Sequence, residues 1–167
     1  MKKIISLIMA GALSLTMLTA CGGKAETPSY DVNEIITTIT DAVPVAMAGD
    51  ITEEELTIMM GLNMEDVASF AGKVSMANVS ADRVLVIEAA EGKVDVIEAA
   101  VEAFKQSVVS SFELYLPDQY EKAQAGRIVV KGNYVVLVIG GDNEVIANQG
   151  VEEAYKAVDA AIDEAFK

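Results

Sequence analysis

Residues 127–139, Arg127-Ile128-Val129-Val130-Lys131-Gly132-Asn133-Tyr134-Val135-Val136-Leu137-Val138-Ile139, decide the fold. β-Branched and aromatic residues fill two runs, and such side chains suit the pleated, half-buried surface of a strand. The runs are separated by Gly132-Asn133 alone, and a two-residue Gly/Asn connection specifies a tight antiparallel hairpin. A second pair of strands is predicted upstream, Lys73–Val79 and Arg83–Ala89, joined by a tight Ser80-Ala81-Asp82 turn. Within it, Arg83-Val84-Leu85-Val86-Ile87-Glu88 is almost continuously apolar, which predicts a central strand covered on both faces.

Each hairpin is followed by a helical pattern. Val94, Ile97, Val101, Phe104, Val108 and Phe112 recur at helical spacing, with Asp95, Glu98, Glu102 and Lys105 turned outward and Pro117 as the stop. Asp118–Ala125 reads as a further short helix. After Gly140-Gly141, Asp142 caps a helical turn, Gly150 interrupts, and a last helix buries Val151, Ala154, Val158, Ala161, Ile162 and Phe166. Upstream, Asp31 with Glu34 and Thr52 with Glu55 have the form of capping boxes for two N-terminal helices, closed by Pro44 and Gly61 respectively. The expected fold is α+β: a mostly antiparallel sheet in a ββα-ββα layout, with helices on one face and additional N-terminal helices over an edge or end.

The first 21 residues have a different character. Lys2 and Lys3 precede an uncharged, largely apolar run from Ile4 to Met17, and small residues lead to the single cysteine, Cys21. A basic start, a short apolar core and a small-residue cleavage site make a secretory signal. The run is shorter than the about 20 residues a spanning helix needs. Leu18-Thr19-Ala20-Cys21 looks like a bacterial lipobox, which implies cleavage between Ala20 and Cys21 and a diacylglyceryl group on the cysteine, with palmitate-type chains. Two acyl chains hold a protein firmly to a membrane where one does not. The expected organisation is therefore a signal peptide over 1–20, a flexible tether over 21–30 and one domain over 31–167, on the extracytoplasmic face of the cell membrane.

Charge and missing residue types narrow the function. The chain has 167 residues, 12 Lys+Arg against 26 Asp+Glu, and no histidine or tryptophan. Residues 1–20 hold two of the bases and no acid, so the mature part carries 10 bases against 26 acids, or −16. Such a surface argues against nucleic acid and against adhesion to anionic lipid, both of which need clustered Lys/Arg. Without histidine, Ser-His-Asp and Cys-His catalysis cannot be assembled. A lipidated Cys21 is also withdrawn from zinc ligation and disulfide chemistry.

The remaining candidates are few. Met47, Met59, Met60, Met64 and Met76 raise the question of Cu(I), which thioethers select. Met59, Met60 and Met64 are equally what a short helix needs to fill an irregular core, and no metal or other cofactor is expected. Gly140-Gly141-Asp142 stands where a strand opens a helix, a place where backbone amides bind anions, although a sharp turn wants glycine regardless. Carboxylate pairs could run glycoside hydrolysis, but most of the acids lie on outward helix faces. Tyr115 and Tyr120 flank Pro117, and Tyr134 starts a strand. A ligand groove, if present, is expected between 117–125 and the hairpin turn at 132–134.

Asn63-Met64-Glu65-Asp66-Val67, Ala81-Asp82-Arg83-Val84-Leu85-Val86-Ile87, Tyr115-Leu116-Pro117 and Gly132-Asn133-Tyr134-Val135-Val136-Leu137-Val138-Ile139 carry a resemblance. With the lipobox, these motifs over roughly 60–140 resemble a family of small Gram-positive-type bacterial lipoproteins catalogued as a domain of unknown function. The resemblance implies an extracytoplasmic lipoprotein and carries over no catalytic residue. The expected function is a non-enzymatic, membrane-anchored binding or interaction module. Its partner is the membrane through Cys21 and an unnamed protein or small molecule. The alternative is a carboxylate-based hydrolase of the cell envelope.

Overall fold

Alternation along one strand sets the architecture. A computed structural model describes residues 28–167, and in it β3 (Arg83–Ala89) sends Val84 and Val86 to one side and Leu85 and Ile87 to the other, all fully buried. A strand's side chains alternate between faces, so a strand buried at every position requires cover on both.

The elements run α1 (Val32–Ala42), β1 (Ala48–Asp50), α2 (Glu53–Met60), β2 (Val67–Ser75), β3, α3 (Val94–Phe112), α4 (Pro117–Ala125), β4 (Arg127–Lys131), β5 (Tyr134–Ile139), α5 (Asn143–Gln149) and α6 (Val151–Ala165), with a 3₁₀ turn at Met64–Asp66. The fold is α+β, with a five-stranded antiparallel sheet in the order β1-β2-β3-β5-β4. In the β4–β5 hairpin Lys131 pairs with Tyr134 and Val130 with Val135, the register of a two-residue connection.

The helices do not share one face. Ile35, Ile36 and Ile39 of α1 and Tyr155, Val158 and Ile162 of α6 pack on Val84, Val86, Val136 and Val138. Ile97, Val101, Phe104 and Val108 of α3, with Leu56 of α2, pack on Leu85, Ile87, Val135 and Leu137. The one-face layout is thus corrected by the same burial that makes β3 central: its two apolar sides need two covers. α1 lies flat on the sheet rather than over an edge.

Three boundaries also differ from the sequence pattern. β2 begins at Val67, six residues before Lys73, and ends at Ser75, so residues 76–82 form a longer loop instead of a three-residue turn. Its early part, Val67-Ala68-Ser69-Phe70-Ala71-Gly72, is rich in small residues with weak strand preference. Gly72 is needed there because a Cβ would lie 2.8 Å from Ile51 Cδ1. β1 is a three-residue edge strand, Ala48-Gly49-Asp50, of residue types that avoid strands. Finally, α3 ends at Phe112, and Pro117 opens α4 as its first residue, where the missing N–H costs nothing.

The caps follow the expected chemistry. Asp31 accepts from the Asn33 N–H at 2.7 Å, without a matching bond from Glu34 to the Asp31 amide. Thr52 and Glu55 complete a reciprocal capping box, and Gly61 ends α2 at φ 67°, a left-handed backbone suited to glycine. Among the described residues no helix is long and apolar enough to cross a membrane. The expected signal peptide, Ala20–Cys21 cleavage site, lipidation of Cys21 and most of the expected tether fall outside the described residues.

Candidate functional site

At one end of the sheet, α1 stops beside the point where β5 gives way to α5. The gap between them is an open cleft of about 490 Å³, walled by Val43-Pro44, the Gly141–Val145 segment and Glu153-Ala154 of α6, with Asp82 on its floor. That volume is in the range of small-molecule sites, roughly 300–1,000 Å³. Four acids line it, Asp82, Asp142, Glu144 and Glu153.

The floor is built from α4. Lys122 is only 1 % exposed, and its ammonium donates to Asp82 Oδ1 at 2.8 Å and to Asn143 Oδ1 at 2.6 Å. Asp82 is itself buried just ahead of β3, a parity that points it to the α1–α6 face. Beneath them the Tyr155 hydroxyl donates to the Lys122 carbonyl at 2.6 Å and receives the Gly140 N–H at 3.4 Å. Burial pushes the Tyr155 phenol well above its ordinary value, outweighing the pull of the Gly140 N–H and of Arg127. Arg127 lies 4.7 Å from the Tyr155 ring centroid and is held from outside by Asp159 at 2.8 Å; that hydrogen bond raises the Arg127 value against a smaller desolvation. The Gln119 side chain accepts the Ala81 N–H at 2.9 Å, tying α4 to the loop that presents Asp82. No buried side-chain polar atom is left without a partner among the described residues, so this charged floor is a closed network and not a strained one.

The three tyrosines expected to line a groove are not brought together. Tyr115 is 80 % exposed in the turn after α3. Tyr120, on α4, is half-buried against the α3-side core, its hydroxyl receiving a bond from Gln124. Tyr134 is fully buried on the opposite face and at the opposite end of the sheet. It donates to the Tyr30 carbonyl at 2.9 Å, receives the Tyr30 N–H at 2.9 Å and packs edge-on against Tyr30 and Phe166. The physical reason is parity and direction: the 132–133 turn closes one end of the sheet while α4 sits at the other. The groove expected between 117–125 and 132–134 therefore does not form.

The other candidates also find ordinary places. Gly140-Gly141-Asp142 does lead into a helix, but Asp142 Oδ1 occupies the exposed amides of Glu144 and Val145 at 2.7 and 3.1 Å. Met60 and Met64 fill gaps against the α3-side core, whereas Met59 points outward, 56 % exposed, contrary to the core role expected of it. Among the described residues no group of three or more His, Cys, Asp or Glu is disposed to hold a metal. A second depression of about 580 Å³ at the hairpin end contains Glu88 and Asn133. Glu88 is already engaged there by Ser69 at 2.6 Å and Asn133 at 2.9 Å.

Lys122, Asp82, Asn143 and Tyr155 escaped the sequence reading. Asp82 read as a turn residue, and Lys122, Asn143 and Tyr155 carried no reading of their own within their helices. The available signal was Lys122 beside Ala123, on the face of α4 opposite Tyr120. No curated protein and no solved structure is matched by the chain. The family model described as a domain of unknown function, DUF4358, matches residues 42–140, from the end of α1 to the end of β5, and the chain belongs to that family.

Proposed function

We propose that this protein is a lipid-anchored, extracytoplasmic binding module without catalytic activity, and that the cleft over Asp82 is where its ligand sits. The cleft carries the reading: an open cavity of about 490 Å³ whose floor is a buried, fully satisfied Asp82–Lys122–Asn143 network. Such a floor holds its shape without a ligand, which lowers the ordering cost of binding. The acidic rim of Asp142, Glu144 and Glu153 favours a ligand bearing positive charge. The location rests on the basic start, short apolar run and Leu18-Thr19-Ala20-Cys21 ending of the first 21 residues.

Two experiments test the reading. Cys21→Ala should release the protein from the membrane fraction or leave the precursor uncleaved; unchanged mobility with unchanged partition refutes the anchor. For the cleft, a thermal-shift screen of the intact chain against cationic peptides, cell-wall fragments and small metabolites should find a ligand that raises the melting temperature. At one hundred times its dissociation constant such a ligand contributes about 2.7 kcal/mol. Ala157 is exposed and lines the cleft, so Ala157→Trp should abolish the shift while leaving the unliganded melt in place. A panel without any hit, or a shift that survives Ala157→Trp, removes the proposal.

A carboxylate hydrolase is the second reading, favoured by the presence of four acids in one cleft. Two of them are held within the fold, Asp82 by Lys122 and Asp142 at the start of α5, and Glu153 is paired at the surface with Lys156. The acid–base pair would then fall to Glu144 and Glu153. Turnover of an envelope glycan that disappears in both Glu144→Gln and Glu153→Gln would establish this reading over the first.

A further inference from the structure

Arg83 immediately follows Asp82 and, by strand alternation, projects to the other face of the sheet. There it lines a cavity of about 150 Å³ with Ile51, Glu55, Met59, Met60, Val74 and Phe104. Its guanidinium carbon lies 5.4 Å from the Phe104 ring centroid, and its Nε donates to the Ala81 carbonyl at 3.0 Å. Among the described residues no carboxylate is within ion-pair distance of it: Asp82, its sequence neighbour, is taken by Lys122, and Glu55 at the rim is held by Thr52 in the capping box. Withdrawal from water pulls the Arg83 pKa down to about 10, an effect that the nearby Asp82 charge only partly offsets.

A cation drawn into apolar walls without a counter-ion is costly, and buried charges are ordinarily paired. The two outer nitrogens of the guanidinium form a fork that matches a carboxylate. We propose that this cavity is a seat for a small monocarboxylate with an apolar body, the carboxylate taken by Arg83 and the body by Ile51, Met60, Val74 and Phe104. Two features select that class. Arg83 is the one cation in the lining and the Glu55 carboxylate is held by the Thr52 amide and hydroxyl, so the seat takes one negative charge at most and offers too few donors for a phosphate. The volume, about 150 Å³, equals that of an engineered apolar cavity, on the order of 150 Å³, that accepts benzene, so the body is about one ring or one branched four-carbon chain. The exposed thioether of Met59 at the mouth can adapt to the tail that enters. The site is independent of the cleft over Asp82 and shares no lining residue with it.

Calorimetric titration of the full chain in nanodiscs of neutral lipid tests this, with benzoate, benzyl alcohol, acetate and inorganic phosphate as probes. Benzoate should bind at one saturable site, with benzyl alcohol (no charge) and acetate (no body) each at least tenfold weaker and phosphate without measurable heat. Arg83→Gln should weaken benzoate at least tenfold with an unchanged circular dichroism spectrum, whereas Ala157→Trp, in the other cleft, should leave benzoate binding unaltered. The wild-type comparison of benzoate with benzyl alcohol and acetate decides the matter even if Arg83→Gln does not fold. Absence of saturable benzoate binding overturns the proposal, as does equal affinity for benzyl alcohol or phosphate. Loss of benzoate binding in Ala157→Trp would place the ligand elsewhere and overturn it too.

Discussion

Lys122 is a lysine with almost no contact with water, on a helix of nine residues whose neighbours on either side of it are Glu121 and Ala123. Its ammonium is tolerable only because Asp82 and Asn143 receive it. Removing one member of a buried pair strands the other, typically at about 3–5 kcal/mol, a large part of the about 5–15 kcal/mol that holds a domain folded. Lys122→Ala should therefore lower the urea-derived stability by about that amount. The apolar replacement of both partners, Lys122→Met with Asp82→Leu, should recover most of it. A single variant within 1 kcal/mol of wild type, on the scale where a typical surface change costs about 0.5 kcal/mol, would mean that water reaches the pair. Tyr155 makes a prediction in pH. Its phenol is pushed up from 10.0 by burial, so the folded state keeps its proton while the unfolded chain has begun to lose it. Stability from this group is complete below about pH 10 and declines as pH rises beyond it. Melting temperatures measured between neutral pH and strongly alkaline pH should fall less steeply above that point in Tyr155→Phe than in wild type. Equal slopes would show that the phenol does not sense its burial.

At the scale of elements, what was legible follows from how much information a segment carries about its own surroundings. β3 and β5 could be read because runs such as Val84-Leu85-Val86-Ile87 and Val135-Val136-Leu137-Val138 are apolar without interruption and bounded by turn residues. α2 could be read because both its ends have chemical signatures, Thr52 with Glu55 and then Gly61. β1 and the start of β2 could not, since Ala48-Gly49-Asp50, Val67 and Ser69 pair through backbone, with Ala68 left at an irregularity between them, and are chosen by their neighbours rather than by propensity. The floor of the cleft was illegible for a related reason: Lys122 and Asp82 lie 40 residues apart, and nothing local marks a charge that will be buried. Thr52→Ala removes the capping oxygen and should cost about 1 kcal/mol in chemical denaturation, with helix content falling only slightly. Gly72→Val should cost more, because its side chain would start 2.8 Å from Ile51 Cδ1 and overpacking typically costs about 1–3 kcal/mol. If Gly72→Val melts like wild type, the β1–β2 edge is looser than its packing implies.

For the whole molecule, the sheet is a partition with a helical layer on each side, and consecutive residues at the start of β3 serve different layers. Asp82 belongs to the cleft under α1 and α6, and Arg83 to the small cavity beside α2 and α3. Both openings lie at the end of the sheet where Arg83 pairs with Ile139. The other end carries the aromatic cluster of Tyr30, Tyr134 and Phe166, with the Tyr30 hydroxyl donating to the Phe166 carbonyl at 3.1 Å, beside the depression at Glu88 and Asn133. Tyr30 is also where the described chain leads back towards residue 28. Five residue steps along β3 separate Glu88 at that end from Arg83, about 17 Å at about 3.3 Å per residue. Under the proposed anchoring through Cys21, the Tyr30 end faces the mooring and both openings point outward, like a buoy whose instruments sit opposite its chain. On that proposal, shortening the mooring would bring the aromatic end against the bilayer and still leave the two openings facing open water.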